Sequence, residues 1–163
     1  MPDLLLTHGY FLFEDPKEMQ IMKPYAPLGI LYLCSHLREK GFDVDVFDTT
    51  FSSQQALFHH LRTETPSVLG IYANLMTRSN AVEIMRVAQE AGWRVIVGGP
   101  EPGAYAQEYL ESGADFVVFG EGEATLEECK ARVVGEDGEY CDSPKAVDIR
   151  AIRNALVAVR SRT

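Results

Sequence analysis

Three cysteines, four histidines and two glycine-rich turns that also carry glutamates are the groups in this 163-residue chain whose chemistry has to be weighed first. Cys34, Cys129 and Cys141 show no C-x-x-C spacing, so neither a closed zinc site nor a disulfide framework follows from them. Free thiols are expected, and Cys34 falls among the apolar positions of a predicted helix, where a thiol behaves as a small hydrophobe. No serine stands in a G-x-S-x-G elbow and no acid–histidine pair can be nominated from spacing, so no catalytic residue and no metal ligand is assigned. What remains is binding chemistry. Gly98-Gly99-Pro100-Glu101-Pro102-Gly103 and Gly120-Glu121-Gly122-Glu123 remove side chains where a bulky ligand could approach backbone, and the helices that follow offer free N–H donors. Glu121 and Glu123 read as cap and loop carboxylates.

The elements that must position these turns alternate regularly. Asp3–Thr7 is a short apolar run with the pattern of a strand buried on both faces, and it runs into His8-Gly9. Residues 8–27 form a long aromatic, proline-bearing connection, a length that in a compact domain is functional or partly structured. Ile30, Leu33, Cys34 and Leu37 then follow helical spacing up to Lys40-Gly41. Phe42–Phe47 alternates Val44 and Val46 with Asp43 and Asp45, which predicts an edge strand with one wet face. Ser52 or Ser53 caps a helix through Leu57 and Leu61, which Pro66 ends before an apolar strand over Val68–Ala73. Gly70 inside that strand predicts room for another backbone or a ligand. Thr77–Ala91 places Ala81, Ile84, Met85 and Ala88 on one helix face, closed by Gly92. Trp93–Val97 is the fourth strand, Ala106, Tyr109 and Leu110 mark a helix stopped by Gly113, and Asp115–Phe119 is the fifth strand, followed by a helix from Thr125 toward Val134. Right-handed β-α crossovers of this rhythm predict an α/β fold: a doubly wound, five-stranded parallel sheet with helices on both faces.

The expected organisation is one α/β domain over residues 1–134, a polar linker over 135–146 and a basic amphipathic helix over 147–163 with Ile149, Ile152, Leu156 and Val159 on one side. That last helix either packs on the domain or docks another domain or an acidic partner. Net charge is −9, with 8 Lys/Arg against 19 Asp/Glu in residues 1–129 and 7 against 5 in residues 130–163, so nucleic acid is an unsuitable partner. Apolar runs break far short of a bilayer span, so no membrane is expected, and the N-terminus lacks the basic start of a secretory signal, which makes the cytoplasm the expected location.

In an open parallel sheet, ligands sit beyond the carboxyl ends of the strands, where strand order reverses. Familiar occupants are excluded by what those ends lack. His8-Gly9-Tyr10 follows the first strand where a dinucleotide site needs G-x-G-x-x-G. Thr7, Ala73 and Gly120 stand where a phosphate-accepting receiver needs acids and a lysine, and no P-loop lysine is present. A wide, shallow site is expected instead.

Three segments, P-Y-A-P-L-G-I-L-Y-L-C-S-H-L-R-E-K-G-F-D-V-D-V-F-D (24–48), V-G-G-P-E-P (97–102) and G-A-D-F-V-V-F-G-E-G-E-A-T (113–125), resemble the N-terminal cobalamin-binding domain of B12-dependent radical SAM enzymes. The likeness spans roughly residues 3–128, with each motif at a strand end. It implies a flavodoxin-like sheet that holds the corrin of cobalamin over its carboxyl edge and takes the nucleotide tail among the glycine-bearing loops. By the resemblance, Pro27, Leu28 and Gly29 lie in the first loop, Gly98, Gly99, Pro100, Glu101 and Pro102 in the tail-binding loop, and Gly120, Glu121, Gly122 and Glu123 at a third wall. Asn74, Leu75 and Met76 face the corrin by strand-end position alone. A broad, mostly apolar macrocycle with an amide rim suits aliphatic side chains and scattered backbone donors.

Two departures stand out. The related loop commonly reads G-G-P-H-P, and here Glu101 takes the histidine's place, which is expected to add negative charge and weaken tail binding. The chain also lacks D-x-H-x-x-G, by which other cobalamin proteins give cobalt an axial histidine; that absence is usual for the radical SAM relatives. His8 alone stands near the expected site, where such a residue commonly hydrogen-bonds loop backbone, while His36, His59 and His60 are expected on solvated helix faces. The cysteines cannot imitate the C-x-x-x-C-x-x-C spacing that holds a 4Fe-4S cluster, so the cluster and S-adenosylmethionine belong to a separate domain or partner. The resemblance therefore implies a cobalamin-binding module, of methyltransferase or cyclase type, working with a radical SAM catalytic domain in cis if the chain is a fragment or in trans otherwise. The alternative is a cofactor-free flavodoxin-like interaction or dimerisation domain, in which the glycines serve only tight turns and a homodimer is possible.

Overall fold

The computed structural model describes residues 2–118. Five strands, β1 (Leu4–His8), β2 (Val44–Phe47), β3 (Val68–Tyr72), β4 (Arg94–Gly98) and β5 (Phe116–Val117), form one sheet in the order β2-β1-β3-β4-β5. Every neighbouring pair is parallel. This is the doubly wound, flavodoxin-like architecture that the β-α rhythm predicts, with β2 at the edge that its alternating aspartates favour. The fifth helix from Thr125, the linker over 135–146 and the helix over 147–163 lie outside the described residues.

The helices between the strands are α1 (Pro16–Ile21), α2 (Leu28–Glu39), α3 (Gln54–Thr63), α4 (Arg78–Glu90) and α5 (Ala106–Glu111). Side chains alternate across each strand, so Leu5, Leu69, Ile71, Val95, Val97 and Val117 share one face, where they pack with Leu57 and Leu61 of α3, Ile84 and Met85 of α4 and Tyr109 of α5. Leu4, Leu6, Val44 and Val68 point the other way and pack with Ile30, Cys34 and Leu37 of α2. Cys34 is buried in that layer as a free thiol, as its spacing predicts. Ser53, not Ser52, caps α3 by accepting from the Ala56 amide at 3.1 Å. Gly92 and Gly113 follow α4 and α5 with φ of 85° and 117°, the left-handed conformation that stops a helix.

One detail departs from the sequence-based expectation, and a second, the partly structured first connection, agrees with it. Gly70 does not leave room for a ligand: a Cβ there would lie 2.7 Å from Leu6 Cδ2, so the neighbouring strand's own leucine fills the space. The long first connection contains a 3-10 turn at Leu12–Glu14 and α1, whose start is fixed by Pro16 at the first helical position and by Asp15, which accepts from the Lys17 and Glu18 amides. No residue of α1 is buried.

The short β5 is pinned by Asp115, whose Oδ2 accepts from the Val95 amide at 2.7 Å while Oδ1 pairs with Arg94. Trp93 closes the lower end of the sheet by donating from Nε1 to the Leu61 carbonyl at 2.8 Å. Among the described residues, no helix is long and apolar enough to cross a membrane.

Candidate functional site at the carboxyl edge of the sheet

Strand order reverses between β1 and β3, and their last paired residues are His8 and Tyr72. The loops after β1 and β3 therefore diverge from this point, opening a crevice above the sheet. Tyr72 lies on the α2 side, and Gly29 in the first turn of α2 sits so close that a Cβ there would lie 3.9 Å from its ring. Leu28, Leu75 and Met76 stand 73%, 72% and 84% exposed. Burying such apolar surface under a ligand releases roughly 25 cal/mol per Å² covered, so their exposure marks this edge as an apolar platform that the described residues leave uncovered.

The turn after β3 is held rigidly from below. Asn74 is half-buried, and its Oδ1 accepts from the Met76 and Thr77 amides, each at 3.0 Å, while its backbone amide donates to Thr77 Oγ1 at 3.2 Å. Asn74 thus shapes the turn that presents Leu75 and Met76, and its amide oxygen is already engaged within that turn.

The opposite wall is backbone. The Ala73 amide donates to the Gly98 carbonyl at 2.8 Å, which carries the β3–β4 pairing one residue further. Gly99 follows with φ of 124°, and a Cβ on it would fall 2.2 Å from the Ala73 carbonyl oxygen. No side chain fits there, so the loop lies directly on the neighbouring strand's end. Pro100 is exposed, whereas Glu101 and Pro102 are buried. Pro27, half-buried, precedes α2 without capping it by a side chain. Gly120, Glu121, Gly122 and Glu123 lie outside the described residues.

Glu101 corrects a sequence-based expectation about charge. Its side chain turns inward, with Oε1 accepting from Arg78 Nη1 at 3.0 Å and Oε2 accepting from the Tyr109 hydroxyl. The carboxylate is thus paired within the protein, and the negative charge expected to face the tail-binding loop is turned inward. Burial, followed by the Glu101 carboxylate, pushes the Tyr109 phenol well above its ordinary range.

His8 is buried at 4% exposure, with Nε2 3.0 Å from Asp48 Oδ1. Its Nδ1 accepts from the Tyr10 amide at 3.2 Å, the loop-backbone role expected of it. A ring that accepts at Nδ1 and faces a carboxylate at Nε2 is the neutral tautomer protonated on Nε2. Burial holds its pKa below the ordinary 6.5, against the opposing pull of Asp48. Burial would raise the Asp48 carboxyl, but hydrogen bonds from Thr50 and His8 outweigh it and hold it low. Of the remaining histidines, His59 is exposed on its helix as expected, while His36 and His60 are half-buried, His60 packing 5.2 Å from the Phe47 ring.

The first loop borders the crevice through aromatic rings. Tyr10 stacks on Tyr25 with centroids 5.2 Å apart, and its hydroxyl donates to Glu18 Oε2 at 2.8 Å. Loss of hydration and that carboxylate push the Tyr10 phenol up to about 12. Tyr72 and Arg78 are the site features that sequence reasoning missed, whereas Tyr10 and Tyr25 lie in the aromatic connection it singled out. Tyr72 was legible in principle, since strand alternation places it on the α2 face just where the sheet ends.

An open α/β sheet with exposed apolar side chains at its switch point, beside a glycine-bearing loop, is an architecture suited to a broad, largely apolar ligand. Residues 21–130 match the family model for the B12 binding domain. The chain belongs to that family and is a cobalamin-binding module. No curated protein matches the chain. The residues present fit the group: exposed Leu28, Leu75 and Met76 suit a corrin face.

Proposed function

We propose that this module serves a B12-dependent radical SAM enzyme of methyltransferase or cyclase type, holding the corrin over the carboxyl edge of the sheet for a radical SAM catalytic domain supplied in cis or in trans. The observation that carries the placement is the cluster of uncovered apolar side chains at the β1/β3 switch point, beside a wall made of backbone. When bound, cobalamin supplies a redox-active cobalt centre for alkyl transfer or radical chemistry. The chain's own part is mechanical and electrostatic. Leu28, Leu75 and Met76 exclude water from one corrin face, Gly99 lets the tail-binding loop lie on the end of β3, and Asn74 holds the turn that aims two of the apolar side chains. Support for the radical SAM context comes from the order of the three motifs, P-Y-A-P-L-G, V-G-G-P-E-P and G-E-G-E-A-T. The S-adenosylmethionine and the 4Fe-4S cluster would then be carried by the catalytic domain.

His8 takes no part in cobalt chemistry in this reading, because both ring nitrogens are engaged inside the protein. Glu101 no longer favours a cofactor-free interaction domain, since its charge is paired internally. The test is to incubate purified protein with hydroxocobalamin and desalt it. A retained corrin absorption band at near-stoichiometric ratio is expected, and a colourless protein overturns the reading. Co-purification with a radical SAM partner, or a cysteine triplet in the same polypeptide, then tests the catalytic context.

A further inference from the structure

We infer that Glu101 is a positioning residue which, through Arg78 and Tyr109, fixes the spacing between the Leu75–Met76 shelf and the Gly98–Gly99 wall and so sets how tightly cobalamin is held. The inference rests on the cobalamin-binding reading above and adds the device that keeps the site in shape. Glu101 is only 8% exposed and cannot itself line the crevice. Its two carboxylate oxygens reach two different elements. Oε1 accepts from Arg78, the first residue of α4, which the Asn74–Thr77 turn feeds directly; Oε2 accepts from the Tyr109 hydroxyl on α5.

The backbone that bears Glu101 continues the glycine wall, and its carbonyl accepts from the Ala104 amide at 3.0 Å. One carboxylate therefore joins both lips of the crevice to the helix below. Arg78 is fixed in turn. Its Nη2 bonds Glu108, and its guanidinium lies 4.8 Å from the Tyr105 ring centroid and 5.8 Å from that of Tyr109. A planar guanidinium held by two carboxylates and two rings has little freedom, so the strut it forms with Glu101 is stiff. Ligand affinity depends on such pre-organisation, because a loop that must be ordered on binding subtracts from the interaction energy.

The test compares hydroxocobalamin affinity in wild type, Glu101→Ala, Glu101→Gln, Tyr109→Phe and the Glu101→Ala/Tyr109→Phe double variant, well below each melting temperature. Glu101→Ala is expected to weaken binding roughly tenfold to a hundredfold, the effect of a lost charged strut. Tyr109→Phe should weaken it less, Glu101→Gln should recover part of the loss, and the double variant should bind no worse than Glu101→Ala alone. A purely stabilising role would lower the unfolding midpoint and leave the affinity of the folded protein, and this non-additivity, untouched. Should Glu101→Ala fail to fold, Tyr109→Phe, which keeps the ion pair and deletes one hydroxyl, carries the comparison. If wild type binds and Tyr109→Phe and every folded Glu101 variant bind as tightly, the inference fails and the cobalamin reading stands. If wild type itself stays colourless, that reading falls and takes the inference with it.

Discussion

At the scale of single residues, the site is decided by what two positions cannot accommodate. Gly99 holds a φ of 124° with its missing Cβ 2.2 Å from the Ala73 carbonyl oxygen, so Gly99→Ala meets both backbone strain and a clash with a strand end that cannot move. The expected cost is roughly 3 kcal/mol of stability, read by urea unfolding, and a loss of corrin binding larger than the unfolded fraction explains. Wild-type stability in Gly99→Ala would show that the loop does not lie on β3 as described. His8 makes a prediction about acid. Its pKa is lowered by burial, so between that lowered value and 6.5 the unfolded chain binds the proton that the folded chain refuses. Stability from neutral His8 is thus complete above 6.5 and is lost as pH falls through the window below it. Asp48, lowered from 3.8, adds a separate loss at still more acid pH. His8→Gln keeps a neutral side chain and should flatten the first window, while the second persists through Thr50, though narrowed by the loss of His8; an unchanged slope of unfolding free energy against pH between the lowered value and 6.5 would refute the neutral tautomer.

At the scale of elements, the turn between β3 and α4 separates folding from binding. Leu75 and Met76 are exposed, so Met76→Glu should shift stability by no more than about 0.5 kcal/mol yet weaken cobalamin binding roughly tenfold or more. Equal affinity in equilibrium titration would move the platform elsewhere. The contrast between the elements also explains what could be read from sequence. The strands and the helices α2 to α5 were legible because each buries an apolar face, as with Ala81, Ile84, Met85 and Ala88, and because glycines that need positive φ punctuate their ends. Helix α1 buries nothing, so it leaves no periodic trace, and only the local Asp15-Pro16 start signals it. The platform was legible as strand-end residues, whereas the pairings were not: Arg78 and Glu101 lie 23 positions apart and His8 and Asp48 lie 40 apart, and strand order alone joins them. Because α1 is tied down chiefly through Tyr10, among residues 2–118 the first tryptic cut should follow Lys17. Earlier cutting within α4, which buries one apolar face along its length, would contradict this ordering of local stability.

At the scale of the whole molecule, a ligand seated across several loops couples to folding in a way that a ligand stuck to one patch does not. The crevice is built from the ends of β1, β3 and β4, elements whose pairing exists only in the folded sheet. The unfolded chain presents no such platform, so bound cobalamin must stabilise the native state by mass action: about 2.7 kcal/mol at a free concentration one hundred times the dissociation constant. For a chain of this size that corresponds to a rise in melting temperature of roughly 5–11 °C, growing with the logarithm of ligand concentration. Non-specific adhesion to exposed tyrosines would instead give a small shift that is no weaker in Met76→Glu. The acidic balance of the chain sharpens the comparison, since a polyanion such as duplex DNA should be repelled and give no shift at any salt concentration. A concentration-dependent rise with hydroxocobalamin that weakens in Met76→Glu and in Gly99→Ala places the ligand on both walls of the crevice at once. A rise that survives both substitutions would place it on some other surface and would leave the exposed apolar edge to be explained by a protein partner.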